Sequence, residues 1–172
     1  MVIECCSQEK TFLKYFGLLG ARFCMIARGY QDAFAEAFRA QYAGCHRLET
    51  NKLRNVAKLF AHLLHTDSLP WLVLAQVRLN EDDTTPSSRI FIKILAQELV
   101  EYMGLAKLRA RMLAPESAGA MAGLLPRDNM RHTRFSINFF TSIGRGALTD
   151  GLRDFVKAQS AANAAAVAAA LT

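Results

Sequence analysis

No stretch of this sequence has the length and apolarity of a membrane span. Crossing a bilayer takes about 20 nearly uncharged residues, and the greasiest run, "TFLKYFGLLGARFCMIA" at 11–27, is broken by Lys14 and Arg22. It reads as a buried helix, and no membrane partner is expected. The opening "MVIECCSQEK" lacks the basic start, apolar stretch and small-residue cleavage site of a secretory signal, so an intracellular chain is expected. The four cysteines, Cys5, Cys6, Cys24 and Cys45, show no C-x-x-C spacing, and reduced thiols acting as small core residues follow from that setting. Cys45 beside His46, and His62 one turn from His65, fall short of the four convergent ligands a zinc site wants. There is no phosphate-cradling glycine loop, G-x-S-x-G elbow or H-E-x-x-H pair. No catalytic residues, metal or cofactor are therefore expected. Strict apolar–polar alternation, the mark of a half-buried strand, is missing as well.

What is present is an ordinary globular composition with helical spacing. The 172 residues are 52% apolar and 21% charged, enough for one domain with a true core. In "NKLRNVAKLFAHLLHT" the residues Leu53, Val56, Ala57, Phe60, Leu63 and Leu64 form one stripe, with Lys52, Arg54, Asn55 and Lys58 opposite it. A helix with a basic face is expected there. In "DSLPWLVLAQVRL", Asp67 or Ser68 as cap and Pro70 in the first turn predict a second helix from about Leu69. Thr85 and Pro86 repeat the device before a stripe of Phe91, Ile94, Leu95, Leu99 and Tyr102, which Gly104 closes.

Helices are also predicted over 11–27, 30–44, 105–113 and 116–125, from Asn129 or Asp128 onward, and after Thr149. The fold class is all-α: antiparallel helix pairs stacked as an irregular solenoid, because each pair buries its stripe only against the next. The uncharged, alanine-rich tail from Ala158 to Thr172 is expected to be a frayed helical extension or disordered. It is given no function.

The net charge of +6 is unevenly placed. Between Gly104 and Arg145 seven cations (Lys107, Arg109, Arg111, Arg127, Arg131, Arg134, Arg145) face two anions, Glu116 and Asp128. Such a patch suits RNA phosphates or an acidic protein surface, although the aromatic platforms of single-strand recognition are lacking. No dense lysine and arginine run marks nuclear import.

Within the patch, "RDNMRHTRF" at 127–135 sets arginines into the first turns of a helix, where each opposes the dipole by about 0.3–1 kcal/mol. Two explanations compete. Either acids of a neighbouring loop neutralise them, for example the "NEDD" loop at 80–83 paired with Arg134, or the surface is reserved for an anionic partner. Glu81, Asp82 and Asp83 themselves read either as capping and solubilising acids or as an acidic knob for a basic partner.

Three strings, "HRLETNKLRNVAKLFAHLLHTDSLPW", "EDDTTPSSRIFIKILAQELVEYMGL" and "PRDNMRHTRFSINFFTSIGRGALTDGLRDF", closely resemble the C-terminal helical domain of nucampholin-type pre-mRNA-splicing factors, a domain of the MA-three class. "IECCSQEKTFLKYFGLLGARFC" is similar to the same family's preceding segment, so the resemblance covers about residues 1 to 157. It implies a HEAT-like docking module without catalytic activity, acting in the nucleus on spliceosomal scaffold proteins. In that family a separate domain, outside these strings, holds the exon-junction DEAD-box helicase, so helicase binding does not carry over with them. Direct RNA binding through 104–145, and direct binding of a DEAD-box helicase as MA-three relatives in translation control do, are the alternatives.

The resemblance also implies a further helix pair ahead of Met1. It marks two departures, Met130 in place of a usual proline and Arg145 in place of a usual apolar residue. The expected docking residues are Arg127, Asp128, Asn129, Arg131 and Arg134, then Glu81, Asp82 and Asp83, then a face of Arg47, Arg54 and Lys58.

Overall fold

The 3.6-residue period is realised over most of the described residues. In the computed structural model, which describes residues 1–171, nine α-helices and four short 3-10 turns follow one another, with no strand among the described residues. The helices are α1 (Val2–Gln8), α2 (Lys14–Ile26), α3 (Arg28–Ala43), α4 (Thr50–His65), α5 (Pro86–Met103), α6 (Leu105–Leu113), α7 (Ala118–Met121), α8 (Met130–Ser142) and α9 (Asp150–Ala170). Neighbours in sequence pack as pairs, and α4 lies against α1, α2 and α5.

The α4 stripe is where the spacing puts it: Leu53, Val56, Ala57, Phe60, Leu63 and Leu64 are at most 2% exposed. Its opposite side is not the open basic face expected, because Asn55, Leu59, Ala61 and His62 are buried too. Only Arg54 stays fully exposed near its middle, and Lys58 is half-buried beside Glu98 at 3.5 Å. The reason is α1, for which the sequence analysis predicted no element. The Asn55 side-chain amide donates to the carbonyls of Cys6 at 3.2 Å and Glu9 at 2.7 Å. These lie at the end of α1, where helix carbonyls have no partner in their own helix. Burial, helped by the Glu9 carboxylate, pushes the Cys6 thiol up to about 12, so this cysteine is a core residue and not a nucleophile.

On another side, α2 reaches α4 through glycine. A Cβ on Gly17 would lie 2.6 Å from the His62 ring, and one on Gly20 would lie 3.2 Å from a Leu63 methyl. The His62 imidazole is thus enclosed between α2 and the Tyr102 ring, 5.7 Å away, and neither ring nitrogen has a hydrogen-bond partner. His65 stacks on Tyr102 at 4.7 Å.

The predicted helix from Leu69 does not form. Asp67 takes a left-handed backbone, φ 55°, Pro70 is extended, and Trp71–Gln76 is a 3-10 turn that runs into extended chain. Trp71, Val73, Leu74, Val77 and Leu79 are all buried, a spacing that no single α-helical face accommodates. The Trp71 indole N–H donates to the Leu64 carbonyl at 3.0 Å, and the Leu79 N–H donates to Gly123 at 2.9 Å. The extended strap formed by 77–80 therefore lies against the end of α7. Contact is so close that a Cβ on Gly123 would meet the Val77 carbonyl oxygen at 2.0 Å.

Other expectations hold. Thr85 and Ser88 form a reciprocal capping box at the start of α5, with Pro86 in the first turn, and Gly104 closes the helix at φ 80°. The piece predicted over 116–125 is shorter, a 3-10 turn at Pro115–Ser117 followed by the four residues of α7. The alanine-rich tail continues α9 with every described side chain from Ala158 onward exposed, and Thr172 lies outside the described residues.

Two outcomes test this packing. Gly123→Ala should destabilise the fold by about 1–3 kcal/mol, the usual cost of overpacking, lowering the thermal midpoint by several degrees; an unchanged midpoint would refute the strap contact. Burial, aided by His65 and Lys14, depresses the His62 pKa. The unfolded chain then takes up a proton before the folded one does, so stability should be full above about pH 6.5, the ordinary imidazole value, and fall as pH drops below it. Chemical denaturation from pH 7.5 to 5 should show that slope in the native chain and a shallower one in His62→Leu.

Candidate docking surface

The start of α8 answers the charge puzzle of "RDNMRHTRF". Asn129 is the N-cap, its side-chain oxygen accepting from the Arg131 N–H at 2.8 Å, so the helix begins at Met130 without a proline. Below it, Thr133 and Ser136 donate to the carbonyls of Pro126 and Leu124, both at 2.7 Å. These bonds tie α8 to the segment that follows α7.

The acidic loop meets this helix start. Glu81 accepts from the Arg131 guanidinium at 2.6 Å. Its hydrogen bond to Arg131, together with that cation's charge, holds the Glu81 carboxyl below its usual range and raises Arg131 in return. His132 sits 3.9 Å from both Asp82 and Asp128, an ion-pair distance when its ring is protonated. Asp83 closes the loop internally, accepting from the Asn80 amide at 2.7 Å while its N–H donates to Asn80 at 2.7 Å. The loop thus neutralises the arginine at the positive end of the helix dipole, and the intramolecular explanation holds for Arg131.

The partner expected for that loop was Arg134. Instead Arg134, one turn further along α8, is exposed and makes no ion pair among the described residues. Arg89 is a contact the sequence did not suggest: it donates to Thr84 at 2.9 Å and lies over the Phe135 ring at 5.2 Å. The Arg47, Arg54 and Lys58 set sits elsewhere, Arg54 and Lys58 one turn apart on α4 and Arg47 in the 3-10 turn before it. Lys58 is taken up by Glu98.

Beside the loop a groove of about 740 Å³ opens between the strap, the end of α6, α7 and the entry to α8. Ala75, Ala118, Ala122 and Gly123 line it with small side chains, while Arg78, Asp83, Arg127, Asp128 and His132 supply its charge. Arg127 is held in place from outside the groove, its guanidinium 5.7 Å from the Phe155 ring of α9. Neither Arg78 nor Phe155 was singled out by the sequence, since only the close approach of the strap and α9 gives them a place here.

The basic excess of 104–145 is largely answered from outside that segment. Arg109 pairs with Asp150 at 3.5 Å, Arg111 with Asp67 at 2.6 Å, and Arg131 with Glu81. Arg145, in the position where the resembling family is apolar, is half-buried with its Nε unpartnered, and its guanidinium donates to the Gly144 carbonyl at 3.3 Å. Among the described residues no three or more of His, Cys, Asp and Glu converge as metal ligands, and no helix is long and apolar enough to cross a membrane.

Comparison with known proteins places this geometry. Residues 1–70 match the family model described as the MA3 domain. Over 157 residues, 91% of the chain, the sequence is 60% identical to the proteins named pre-mRNA-splicing factor CWC22 homolog in Mus musculus and in Homo sapiens. It is 56% identical over the same length to pre-mRNA-splicing factor cwc22 of Emericella nidulans. The chain spans 17% of the length of the mouse and human relatives and 18% of the fungal one.

At the helix start, the cap and the ion pair should separate by experiment. Asn129→Ala removes a capping acceptor and should cost about 1 kcal/mol. Arg131→Ala breaks a pair whose side chains are both more than half exposed, and such pairs contribute little to stability. Denaturant midpoints should therefore fall for the first variant and stay put for the second; the reverse order would overturn this account of the α8 start.

Proposed function

We propose that this chain, 60% identical over 157 residues to the CWC22 pre-mRNA-splicing factor homologs of mouse and human, acts as a non-catalytic docking module of the spliceosome. The working unit is residues 1–157, with 158–172 an extension that takes no part. Its partners are spliceosomal scaffold proteins, and its place of action is the nucleus. The observation that carries the reading is the polar surface at the entry to α8. Arg127, Asp128, Asn129, Arg131, Glu81, Asp82 and Asp83 are all exposed there, on two segments fastened to one rigid helical frame. Arg134 adds an unpaired cation one turn on. The Arg47, Arg54 and Lys58 face is secondary, since Lys58 already has an acidic neighbour.

The reading is supported by what the surface lacks in energetic purpose. Exposed ion pairs such as Arg131 with Glu81 add little to stability, so a cluster of them fixes the arrangement of charge rather than the fold. Defined charge patterns of this kind set partner choice and association rate.

The test is recovery from nuclear extract. Arg131→Glu combined with Arg134→Glu should leave the circular dichroism spectrum and thermal midpoint in place while reducing spliceosomal protein recovered by the tagged chain at least several-fold. Recovery should survive RNase. Undiminished recovery by the double variant would sink the assignment of this surface. Loss of all partners on RNase treatment would move the function to RNA binding.

A further inference from the structure

We propose that the groove between the 77–80 strap, α7 and the entry to α8 is a receptor for a short peptide segment that pairs carboxylates with an apolar side chain. This rests on the docking reading and names the chemistry of the docked partner.

The charged side chains lining the groove differ in what they already contact. The two carboxylates each have a polar neighbour: Asp83 accepts from the Asn80 amide at 2.7 Å, and Asp128 lies 3.9 Å from the His132 ring. The two arginines make no such contact. Among the described residues the guanidinium of Arg78 makes no hydrogen bond or ion pair, and that of Arg127 has only the Phe155 ring beneath it. Both side chains are exposed. A guanidinium stacked on a ring keeps its in-plane donors free, and its fixed fork matches a carboxylate.

The rest of the lining selects for the remainder of the ligand. Ala75, Ala118 and Ala122 leave room for a backbone to lie close, while Leu113 stands 46% exposed among the lining residues. An apolar side chain beside the acids would cover it. RNA is the poorer occupant. Apart from His132 no lining residue carries an aromatic ring on which a base could stack. The volume of about 740 Å³ lies within the range of small-ligand and peptide pockets.

The experiment uses the full chain immobilised against a random decapeptide display library, with the selected peptides re-measured by fluorescence anisotropy beside a labelled oligouridine. Selected sequences should be enriched in Asp or Glu adjacent to Leu, Ile or Met. Arg78→Glu and Arg127→Glu should each weaken the selected peptides at least ten-fold without moving the thermal midpoint. Phe155→Ala, which removes the support under Arg127 but touches no ligand, should weaken them about three-fold. No enrichment, enrichment without acids, or affinity indifferent to both arginine changes would overturn the proposal. So would oligouridine binding that the same changes abolish, which would assign the groove to nucleic acid. The nuclear-extract recovery described above separates the two levels: if wild type and Arg78→Glu/Arg127→Glu recover spliceosomal proteins equally, the groove assignment fails while the docking module stands. If acidic peptides bind but no spliceosomal protein is recovered, the groove stands and its spliceosomal role fails.

Discussion

Enclosure of α4 is the constraint on which the other elements depend. A helix wrapped by α1, α2 and α5 is pressed to pair the polar groups it carries, because an unpaired buried group costs what a hydrogen bond would have returned. The Asn55 amide N–H groups donate to the last carbonyls of α1, whereas the Asn55 side-chain oxygen and both His62 ring nitrogens stay buried without partners, and that burial disfavours charge on the imidazole. The same enclosure demands close approach, so α2 turns Gly17 and Gly20 toward the axis and leaves Tyr15, Leu18, Met25 and Ile26 outside. Small residues inward and large ones outward is the reverse of an ordinary amphipathic helix. It follows directly from how near the two backbones lie.

From that axis the position of the charged surface is inherited. Packing of α5 on α4 sets the capping box at Thr85 and Ser88, and thereby where the preceding acidic loop emerges. The strap leaving Trp71 is pinned by Leu79 to Gly123, which sets the far end of the same loop. The Thr133 and Ser136 hydroxyls then fix α8 beneath it. Glu81 and Arg131 meet because three separate packing contacts converge, and not because their mutual attraction is strong enough to order two exposed side chains.

This is also why the sequence disclosed some of the molecule and hid the rest. Local chemistry was readable: the proline and threonine before α5, the glycine after it, and Asn129 ahead of α8 act within a turn of themselves. The stripe of α4 was readable for the same reason. What escaped depends on contacts distant in sequence. Asn55 looked like one more polar residue on a solvent face, and only α1, about 50 residues earlier, makes it a core residue. The run from Trp71 to Leu79 has the proline of a helix start, but burial from several directions holds it as a strap. For "RDNMRHTRF" the need for neutralising acids was legible from the dipole argument, and so was the loop that supplies them. Which arginine they meet was not, because Arg131 and Arg134 lie one turn apart on the same side of the helix and only the position of the loop along it decides between them.

The basic excess of the segment from Gly104 to Arg145 illustrates how charge counted along a chain differs from charge met by a partner. Three of its seven cations face carboxylates that lie outside the segment, and an ion pair of that kind presents a dipole to an approaching phosphate in place of a net charge. Counterion release, which drives nonspecific nucleic-acid binding, scales with cations free to contact phosphate. Lys107, Arg127 and Arg134 are the exposed cations left without carboxylates, on α6, ahead of α8 and within α8. Arg127 alone of these lines the groove, together with the unpaired Arg78. Guanidinium groups grip carboxylates and phosphates alike, so what disfavours a nucleic-acid strand there is the small number of free cations and a lining in which His132 is the one ring.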